Sequence, residues 1–170
     1  MNSNNTSSDT VLQWLQRMSE ELRPLIKADT VAGTVKVVGI KTGGVIIAHH
    51  LQHLLEIEHP VGELNISFYR DDFSRIGLHP RVGPSNLPSS IDGETIVLVD
   101  DVLYSGRTVR AAMNELFDFG RPERIILATL VERNGRELPV CADVVGCKMT
   151  LDHNETIKLT SDLSLVVKSI

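Results

Sequence analysis

The sequence VLVDDVLYSGRT at residues 97–108 is the clearest indication of the fold, because its pattern is typical of a buried strand joined to a helix through a glycine turn. Two adjacent carboxylates, Asp100 and Asp101, follow the apolar strand residues, and Ser-Gly-Arg-Thr then leads into a helical pattern. Ligands of open α/β sheets lie beyond the carboxyl ends of the strands, and N–H groups at a helix N-terminus bind phosphate. The stretch therefore predicts an anion site, in which Asp100 and Asp101 accept hydrogen bonds from a sugar diol or hold Mg2+ through water.

The turn itself carries the remaining groups of this predicted site. Gly106 allows a close approach of the backbone, and the hydroxyls of Ser105 and Thr108 can donate hydrogen bonds to phosphate oxygens. A lone Asp-Asp pair more often just ends a strand, and Ser or Thr often only caps a helix. The meeting of the acidic pair, glycine and hydroxyls at one strand-to-helix turn favours the functional interpretation.

The residues on either side of this stretch alternate between strand and helix patterns. Continuous or alternating apolar residues predict strands over 34–40, 61–69, 95–99, 125–131 and 142–149, and apolar spacing predicts helices over 11–27, 45–58 and 107–119. Such alternation predicts an α/β fold, an open and mostly parallel sheet flanked by helices. The tail over 156–170 is expected to add one or two strands at the edge of the sheet.

Length and composition place the chain in a broad class. The 170 residues predict a single domain over residues 9–170, preceded by a disordered tail of mostly Asn, Ser and Thr over residues 1–8. A net charge of -5 argues against a surface that binds nucleic acid as a whole. No apolar run reaches the roughly 18–20 residues that a membrane span needs, and the start has no secretory signal. We therefore expect a soluble, cytoplasmic protein.

Cysteine and histidine do not form a metal pattern in this sequence. Cys141 and Cys147 lie without a neighbouring ligand cluster, which favours ordinary buried thiols over a disulfide framework or a zinc site. His49 and His53 share one helix face, but no acidic residue stands in the order of a zinc protease, and a solvated face is the favoured interpretation.

The central stretch resembles the phosphoribosyl-pyrophosphate (PRPP) signature of the type I phosphoribosyltransferases, and more narrowly that of the PyrR family. PyrR proteins regulate pyrimidine operons and act as uracil phosphoribosyltransferases. The resemblance covers about residues 37–146 and is carried by VGIKT at 38–42, YRDD at 69–72, VDDVLYSGRTVR at 99–110, GRP at 120–122, LVER at 130–133, RELP at 136–139 and AD at 142–143.

The resemblance implies a role for each matching segment. Asp100 and Asp101 hold the ribose hydroxyls of PRPP, and Asp101 and Arg70 are the implied catalytic residues. Backbone N–H groups of a pyrophosphate loop face the leaving group, and the residues of this loop are Lys41, Thr42, Gly43 and Gly44. The implied remainder of the PRPP site is Tyr104, Ser105, Gly106, Arg107 and Thr108. Uracil and UMP contact the loop over 131–136, with Val131, Glu132, Arg133 and Arg136 as the implied residues.

Residues 70–86 are expected to form a flexible hood that closes over PRPP and excludes water. The implied reaction displaces pyrophosphate from C1 of PRPP by N1 of uracil, with UMP as product. Mg2+ is the implied cofactor, and it and Arg70 neutralise the leaving pyrophosphate. The family also commonly forms dimers or higher homo-oligomers.

Several positions depart from the family pattern. The family usually has Arg where this chain has Gly43, which removes one positive charge from the pyrophosphate loop. Tyr104 stands where purine-specific members place an Asp, which suits a pyrimidine substrate. Asn134-Gly135 and Cys141 replace a Gly-His pair and an Arg, so the basic face that binds RNA in regulatory members is reduced. Three functions stay open: a uracil phosphoribosyltransferase, a UMP- or PRPP-sensing attenuator that binds pyrimidine leader RNA, and an enzyme for a purine base.

Overall fold

The computed structural model describes residues 5–27, 34–66 and 84–170. In chain order, the helices are α1 (Ser8–Lys27), α2 (Gly43–Leu54) and α3 (Arg107–Phe119). The strands are β1 (Val35–Ile40), β2 (Gly62–Leu64), β3 (Thr95–Leu103), β4 (Arg124–Arg133), β5 (Val144–Met149), β6 (Glu155–Leu159) and β7 (Leu165–Ser169).

Strands β1 to β5 form one five-stranded sheet in the order β2-β1-β3-β4-β5, and the pairs between neighbours are parallel. The chain leaves β1 toward β2 on one side and resumes with β3 on the other, so the strand order reverses between β1 and β3. Crevices at such a reversal are where open α/β sheets bind their ligands. The predicted α/β fold with an open parallel sheet is confirmed.

The sheet is buried on both faces, which explains the continuous apolar runs of its strands. Helices α1 and α2 cover one face, where Leu15 and Leu51 belong to a core cluster with Val97 and Val99 of β3. Helix α3 covers the opposite face, where Leu116 packs in a second cluster that includes Leu98. Alternate residues of the central strand therefore anchor two helical layers, and this fixes the strand end that carries the acidic pair.

Several element bounds differ from the predicted ones. β3 continues through the acidic pair to Leu103, and β4 continues to Arg133, because each keeps pairing with its neighbour beyond the apolar run. The predicted strand over 61–69 is only Gly62–Leu64 within the described residues. The C-terminal tail was predicted at the sheet edge, but it forms a separate antiparallel hairpin of β6 and β7.

The N-terminal residues 5–8 also differ from the predicted tail over residues 1–8. Backbone hydrogen bonds join Thr6 to Leu165 of β7 in both directions, and Ser8 already belongs to α1. The Ser7 hydroxyl accepts a hydrogen bond from the Thr10 amide at 3.4 Å, which supports the start of the helix. Residues 1–4 lie outside the described part of the chain. Among the described helices, none is long and apolar enough to cross a membrane.

Truncation of Leu15 to alanine is expected to destabilise the protein by about 2–5 kcal/mol, since its side chain is fully buried in the α1 layer and leaves a cavity. Urea unfolding of the variant measures this loss. Leu12 is 44% exposed on the same helix, so Leu12→Ala is the matched control and should change the free energy of unfolding little. Equal effects of both substitutions would contradict the assignment of the buried face.

Candidate active site

The acidic pair lies near the C-terminal end of the central strand, β3. Asp100 is 2% exposed, and its Oδ1 accepts a hydrogen bond from the Asp101 amide at 3.0 Å. Asp101 is half-buried, and its Oδ1 accepts a hydrogen bond from the Val102 amide at 3.1 Å. Local backbone N–H donors therefore orient both carboxylates at the point where the strand order reverses between β1 and β3. Neither side chain is fully exposed to solvent.

The pyrophosphate loop predicted at residues 41–44 runs from β1 into α2, directly beside the acidic pair. A Cβ built on Gly43 would lie 2.1 Å from Oδ2 of Asp101. Because glycine has no side chain, this carboxylate can lie directly against the loop. A Cβ on Gly44 would lie 2.4 Å from the carbonyl oxygen of Val99, so α2 meets β3 backbone to backbone. The Lys41 ammonium forms an ion pair with Glu63 at 2.8 Å.

The predicted phosphate turn lies at the carboxyl end of β3. The loop at 41–44 follows β1, the strand that pairs with β3. Gly106 has φ of 90°, a conformation that favours glycine, and as the residue before α3 it contributes no side-chain cap. The carbonyl oxygen of Ser105 accepts hydrogen bonds from the amides of Glu137 and Leu138 at 3.1 and 3.0 Å. The segment that contains Glu137 and Leu138 thus fixes the turn that precedes the N-terminus of α3. The first helical turn of α3 has no acidic side chain that would compete with a bound anion.

Arg133 and Tyr104 form the side of the site nearest to β4. The guanidinium carbon of Arg133 lies 4.3 Å from the centre of the Tyr104 ring, and its Nη1 donates a hydrogen bond to the carbonyl oxygen of Glu155 at 2.9 Å. The hairpin of β6 and β7 thus helps to place the guanidinium. Tyr104 is 46% exposed, although it is large and aromatic.

These elements enclose a cavity of about 560 Å³. The predicted residues that line it are Thr42, Gly43, Asp100, Asp101, Tyr104, Thr108 and Arg133. Its volume suits a nucleotide-sized ligand. The structure therefore brings the acidic pair, the pyrophosphate loop and the phosphate turn to one cavity.

The other predicted site residues lie around the cavity without lining it. Lys41 is paired with Glu63, and Gly44 is buried against β3. Ser105 and Gly106 shape the turn, while Arg107 forms an ion pair with Glu137 at 2.8 Å.

Of the residues predicted to contact uracil, Arg133 lines the cavity and the other three do not. Val131 is fully buried, Glu132 pairs with Lys148 at 3.2 Å, and Arg136 donates a hydrogen bond to Cys141. Val131, Glu132 and Arg133 are strand residues of β4, whereas the sequence predicted a loop there, because β4 continues alongside β5. Arg70 and most of the predicted hood over 70–86 lie outside the described residues.

Sequence reasoning missed the contribution of the C-terminal hairpin. Thr156, Lys158 and Lys168 line the cavity together with the edges of Ile157 and Leu159. The alternation of apolar residues over 157–167 was the available signal, because it predicts a strand with one face on the core and one face free.

Two buried polar side-chain atoms are left without hydrogen-bond partners among the described residues. They are Oγ1 of Thr129 and Nε of Arg133, both on β4. Thr129 lies opposite Asp100 in the strand register. Buried polar groups in native structures are nearly always paired, so these two atoms are exceptions, and of their two residues Arg133 lines the cavity.

The donor set at this cavity fits a magnesium ion that is shared with a bound anion. Two adjacent carboxylates are hard oxygen ligands, and Mg2+ is usually held by one or two carboxylates together with substrate phosphates and water. The described residues contain no cluster of three or more His, Cys, Asp or Glu that could hold a metal alone. A metal at Asp100 and Asp101 therefore needs ligand oxygens to complete its coordination.

The cysteines and histidines lie away from this chemistry. Cys141 was predicted to be a buried thiol, but it is exposed, because it lies in the irregular segment between β4 and β5. Burial raises the pKa of the Cys147 thiol, which disfavours its reactive thiolate form. Burial also lowers the pKa of His50, with smaller contributions from His49 and His53.

Comparison with known proteins agrees with this geometry. Residues 16–164 match the family model described as a phosphoribosyl transferase domain. The chain is 54% identical over 147 residues to the bifunctional protein PyrR of Nitrosococcus oceani, covering 85% of this chain and 78% of that protein. It is 50% identical over 154 residues to the bifunctional protein PyrR of Pseudomonas paraeruginosa, covering 91% and 90%. The chain belongs to the PyrR family of phosphoribosyltransferases.

Solved structures place the PyrR-family chain in the same fold as more distant phosphoribosyltransferases. A hypoxanthine-guanine phosphoribosyltransferase from Bacillus anthracis superposes with a TM-score of 0.72 over 100% of both chains, at 14% identity. A purine phosphoribosyltransferase from Pyrococcus horikoshii gives a TM-score of 0.65 at 21% identity, covering 86% of this chain and 90% of that one. At these identities the likeness concerns the fold alone.

Asn134 is a departure from the PyrR pattern with a clear structural role. Its side-chain amide donates a hydrogen bond to the carbonyl oxygen of Leu151 at 3.1 Å and accepts one from the Leu151 amide at 2.9 Å. The residue ties the end of β4 to the segment that leads into the C-terminal hairpin. The substitution therefore helps to position the hairpin wall of the cavity.

Proposed function

We propose that this protein transfers the phosphoribosyl group of PRPP to N1 of uracil, forming UMP and pyrophosphate. The observation that carries the proposal is the acidic pair of the central strand, which faces one cavity together with two glycine-containing turns. One turn suits a pyrophosphate and the other a single phosphate, and a ribose between them reaches carboxylate acceptors. PRPP carries these three groups in that order.

In the proposed complex, each element binds one part of PRPP. Asp100 and Asp101 accept hydrogen bonds from the ribose hydroxyls, and the turn at 105–108 donates N–H and O–H groups to the 5-phosphate. The loop at 41–44 binds the pyrophosphate. Holding both phosphate ends fixes C1 of the ribose for in-line attack, which removes most of the entropic cost of bringing the reactants together.

The reaction breaks the bond between C1 and the pyrophosphate oxygen and forms the bond between C1 and N1 of uracil, while the N1 proton passes to water or to an oxygen of the departing pyrophosphate. Positive charge develops on the ribose ring, and the carboxylates of Asp100 and Asp101 stabilise it at close range. Asp100 and Asp101 would hold Mg2+ through water, and the bound ion would supply charge neutralisation for the departing pyrophosphate. Arg70 is proposed to assist at the leaving group.

Uracil is the proposed base because no carboxylate stands at position 104. Tyr104 lines the cavity there and its ring lies against the Arg133 guanidinium. Uracil N1 is acidic, so a strong general base is dispensable, whereas the purine-specific pattern has an Asp at this position. Arg133 also lines the cavity, and its guanidinium is the proposed donor to a carbonyl oxygen of the base.

A competition assay tests the choice of base. Purified protein, PRPP, Mg2+ and radiolabelled uracil are expected to give UMP, and equimolar guanine or hypoxanthine is expected to leave this rate nearly unchanged. Each base offered alone serves as the control. Faster consumption of guanine or hypoxanthine than of uracil would overturn the proposed specificity and favour a purine enzyme.

A regulatory role is the second candidate, and it is supported by the relatives that carry the name bifunctional protein PyrR. In that role the protein would sense UMP or PRPP in the same cavity and bind pyrimidine leader RNA. The net charge of -5 and the exposed Cys141 in place of an arginine disfavour a strong basic face. Homo-oligomers are proposed for both functions.

RNA binding, if the regulatory role holds, is expected to weaken steeply as salt rises, because each neutralised phosphate releases counterions. A filter-binding titration of leader RNA between about 50 and 200 mM salt, with and without UMP, measures the slope. A scrambled RNA of the same length is the control. Equal and weak binding of both RNAs would remove this second function and leave the enzyme proposal untouched.

A further inference from the structure

Most cations around the cavity already have a partner. Lys41 is ion-paired with Glu63, and Arg107 with Glu137. Arg133 donates to the carbonyl oxygen of Glu155 and lies against the Tyr104 ring. Their positive charge is therefore directed at protein groups, and little of it remains for a ligand that carries several negative charges.

Lys158 and Lys168 are different. Both line the cavity, and neither has an ion pair or hydrogen bond within the described ranges 5–27, 34–66 and 84–170. Lys158 lies opposite Val166 in the hairpin and Lys168 lies opposite Thr156. The two lysines are thus diagonal neighbours on one face of the hairpin.

The hairpin holds this face toward the cavity because its other face is anchored in the core. Ile157, Leu159 and Leu165 are buried in the cluster that includes α1 and α2, and Ile46 of α2 packs against that cluster. Strand alternation then directs Thr156, Lys158 and Lys168 to the opposite face. Two like charges held close together without a counterion repel each other, and an anion between them removes that repulsion.

The pyrophosphate loop, which lines the same cavity through Thr42 and Gly43, lacks the charge that the hairpin offers. Gly43 contributes no side chain, and the Asp101 carboxylate occupies the space where one would begin. The side-chain cation of the loop, Lys41, is paired with Glu63. Pyrophosphate bound here would meet backbone N–H groups of the loop and the Asp101 carboxylate close by, so cations elsewhere in the cavity lining would add to the charge neutralisation proposed for Mg2+ and Arg70.

We propose that Lys158 and Lys168 bind the pyrophosphate group of PRPP and replace the positive charge absent at Gly43. This inference rests on the proposed function, since it names residues for the leaving-group end of the same site. The ligand class is a diphosphate that is shared between the loop at 41–44 and the hairpin.

The test combines Lys158→Met and Lys168→Met in one variant, which keeps most of the length of both side chains and removes both charges. The KM for PRPP is expected to rise by about tenfold or more, with the KM for uracil unchanged, because charge-assisted hydrogen bonds to phosphate are lost. Calorimetric binding of inorganic pyrophosphate should weaken by a similar factor. Lys148→Met is the matched control, since Lys148 pairs with Glu132 outside the cavity.

Each outcome bears on the inference separately from the proposed function. If the wild type makes UMP and the double variant keeps its KM for PRPP and its affinity for pyrophosphate, the inference is overturned and the proposed function stands. A change confined to the KM for uracil also overturns it. If the wild type makes no UMP but binds pyrophosphate in a lysine-dependent way, the inference stands and the proposed function fails. Equal melting temperatures of the variants exclude misfolding as the cause.

Discussion

The double variant Asp100→Asn, Asp101→Asn is expected to lose about two to three orders of magnitude of phosphoribosyl transfer, and to fold normally. Asn keeps the size of each side chain but removes the charge that stabilises the developing positive ribose. It also replaces an acceptor oxygen with a donor facing the ribose hydroxyls. Steady-state assays of UMP formation from uracil and PRPP measure the loss.

The control for this variant is Asp118→Asn, which removes a carboxylate from the exposed end of α3. Its turnover should equal that of the wild type. Far-ultraviolet circular dichroism and the melting temperature of all three proteins check the fold. Full activity of the Asp100/Asp101 variant would show that the acidic pair does not act in the reaction.

Gly44→Ala is expected to lower the free energy of unfolding by about 1–3 kcal/mol and to raise the KM for PRPP at the same time. The added Cβ would lie 2.4 Å from the Val99 carbonyl oxygen and 3.1 Å from Cα of Asp100, and backbone atoms cannot turn aside as a side chain can. The first turn of α2 has to move away from β3, and the pyrophosphate loop moves with it. Urea unfolding and PRPP kinetics measure the two effects.

Gly93→Ala separates the two effects of Gly44→Ala. Gly93 has φ of 69° and no atom within 4 Å of a built Cβ, so an alanine there is strained by about 1–2 kcal/mol without a clash. We expect it to lower stability and to leave the KM for PRPP unchanged, because the turn lies at the opposite end of β3 from the acidic pair. A raised KM for PRPP in both variants would mean that lost stability alone weakens binding.

The sequence predicted the central part of the site because its signals are local. An apolar strand, two carboxylates and a glycine turn lie within residues 97–108, and parallel strand order then places that turn beside the one after β1. The acidic pair, the loop at 41–44 and Thr108 meet at one cavity as this pattern predicts.

The parts that were missed depend on contacts between distant segments. The ion pairs that occupy Lys41 and Arg107 join residues far apart in the chain, so their partners cannot be deduced from local spacing. The hairpin was placed at the sheet edge because a short alternating strand does not reveal which neighbour it pairs with. Its position beside the cavity follows from the packing of Ile157 and Leu165 in the core.

At Gly43, the sequence and the structure give complementary information. The sequence identified an arginine missing from the loop, which indicates weaker binding of an anion. The structure adds that Asp101 lies in the space beside this glycine. Lys158 and Lys168, which have no ion pair or hydrogen bond to the part of the chain that the structure describes, line the same cavity. We therefore expect the effect of Gly43 on PRPP binding to depend on the two hairpin lysines.

A crystal structure of the complex with PRPP and Mg2+ tests the account most directly. We predict the ribose hydroxyls within hydrogen-bond distance of Asp100 and Asp101, the 5-phosphate on the turn at 105–108, and the pyrophosphate between the loop at 41–44 and the lysines of the hairpin. The same crystals soaked with UMP should show the 5-phosphate in the same place. PRPP bound away from Asp100 and Asp101, or with its 5-phosphate outside that turn, would contradict the account.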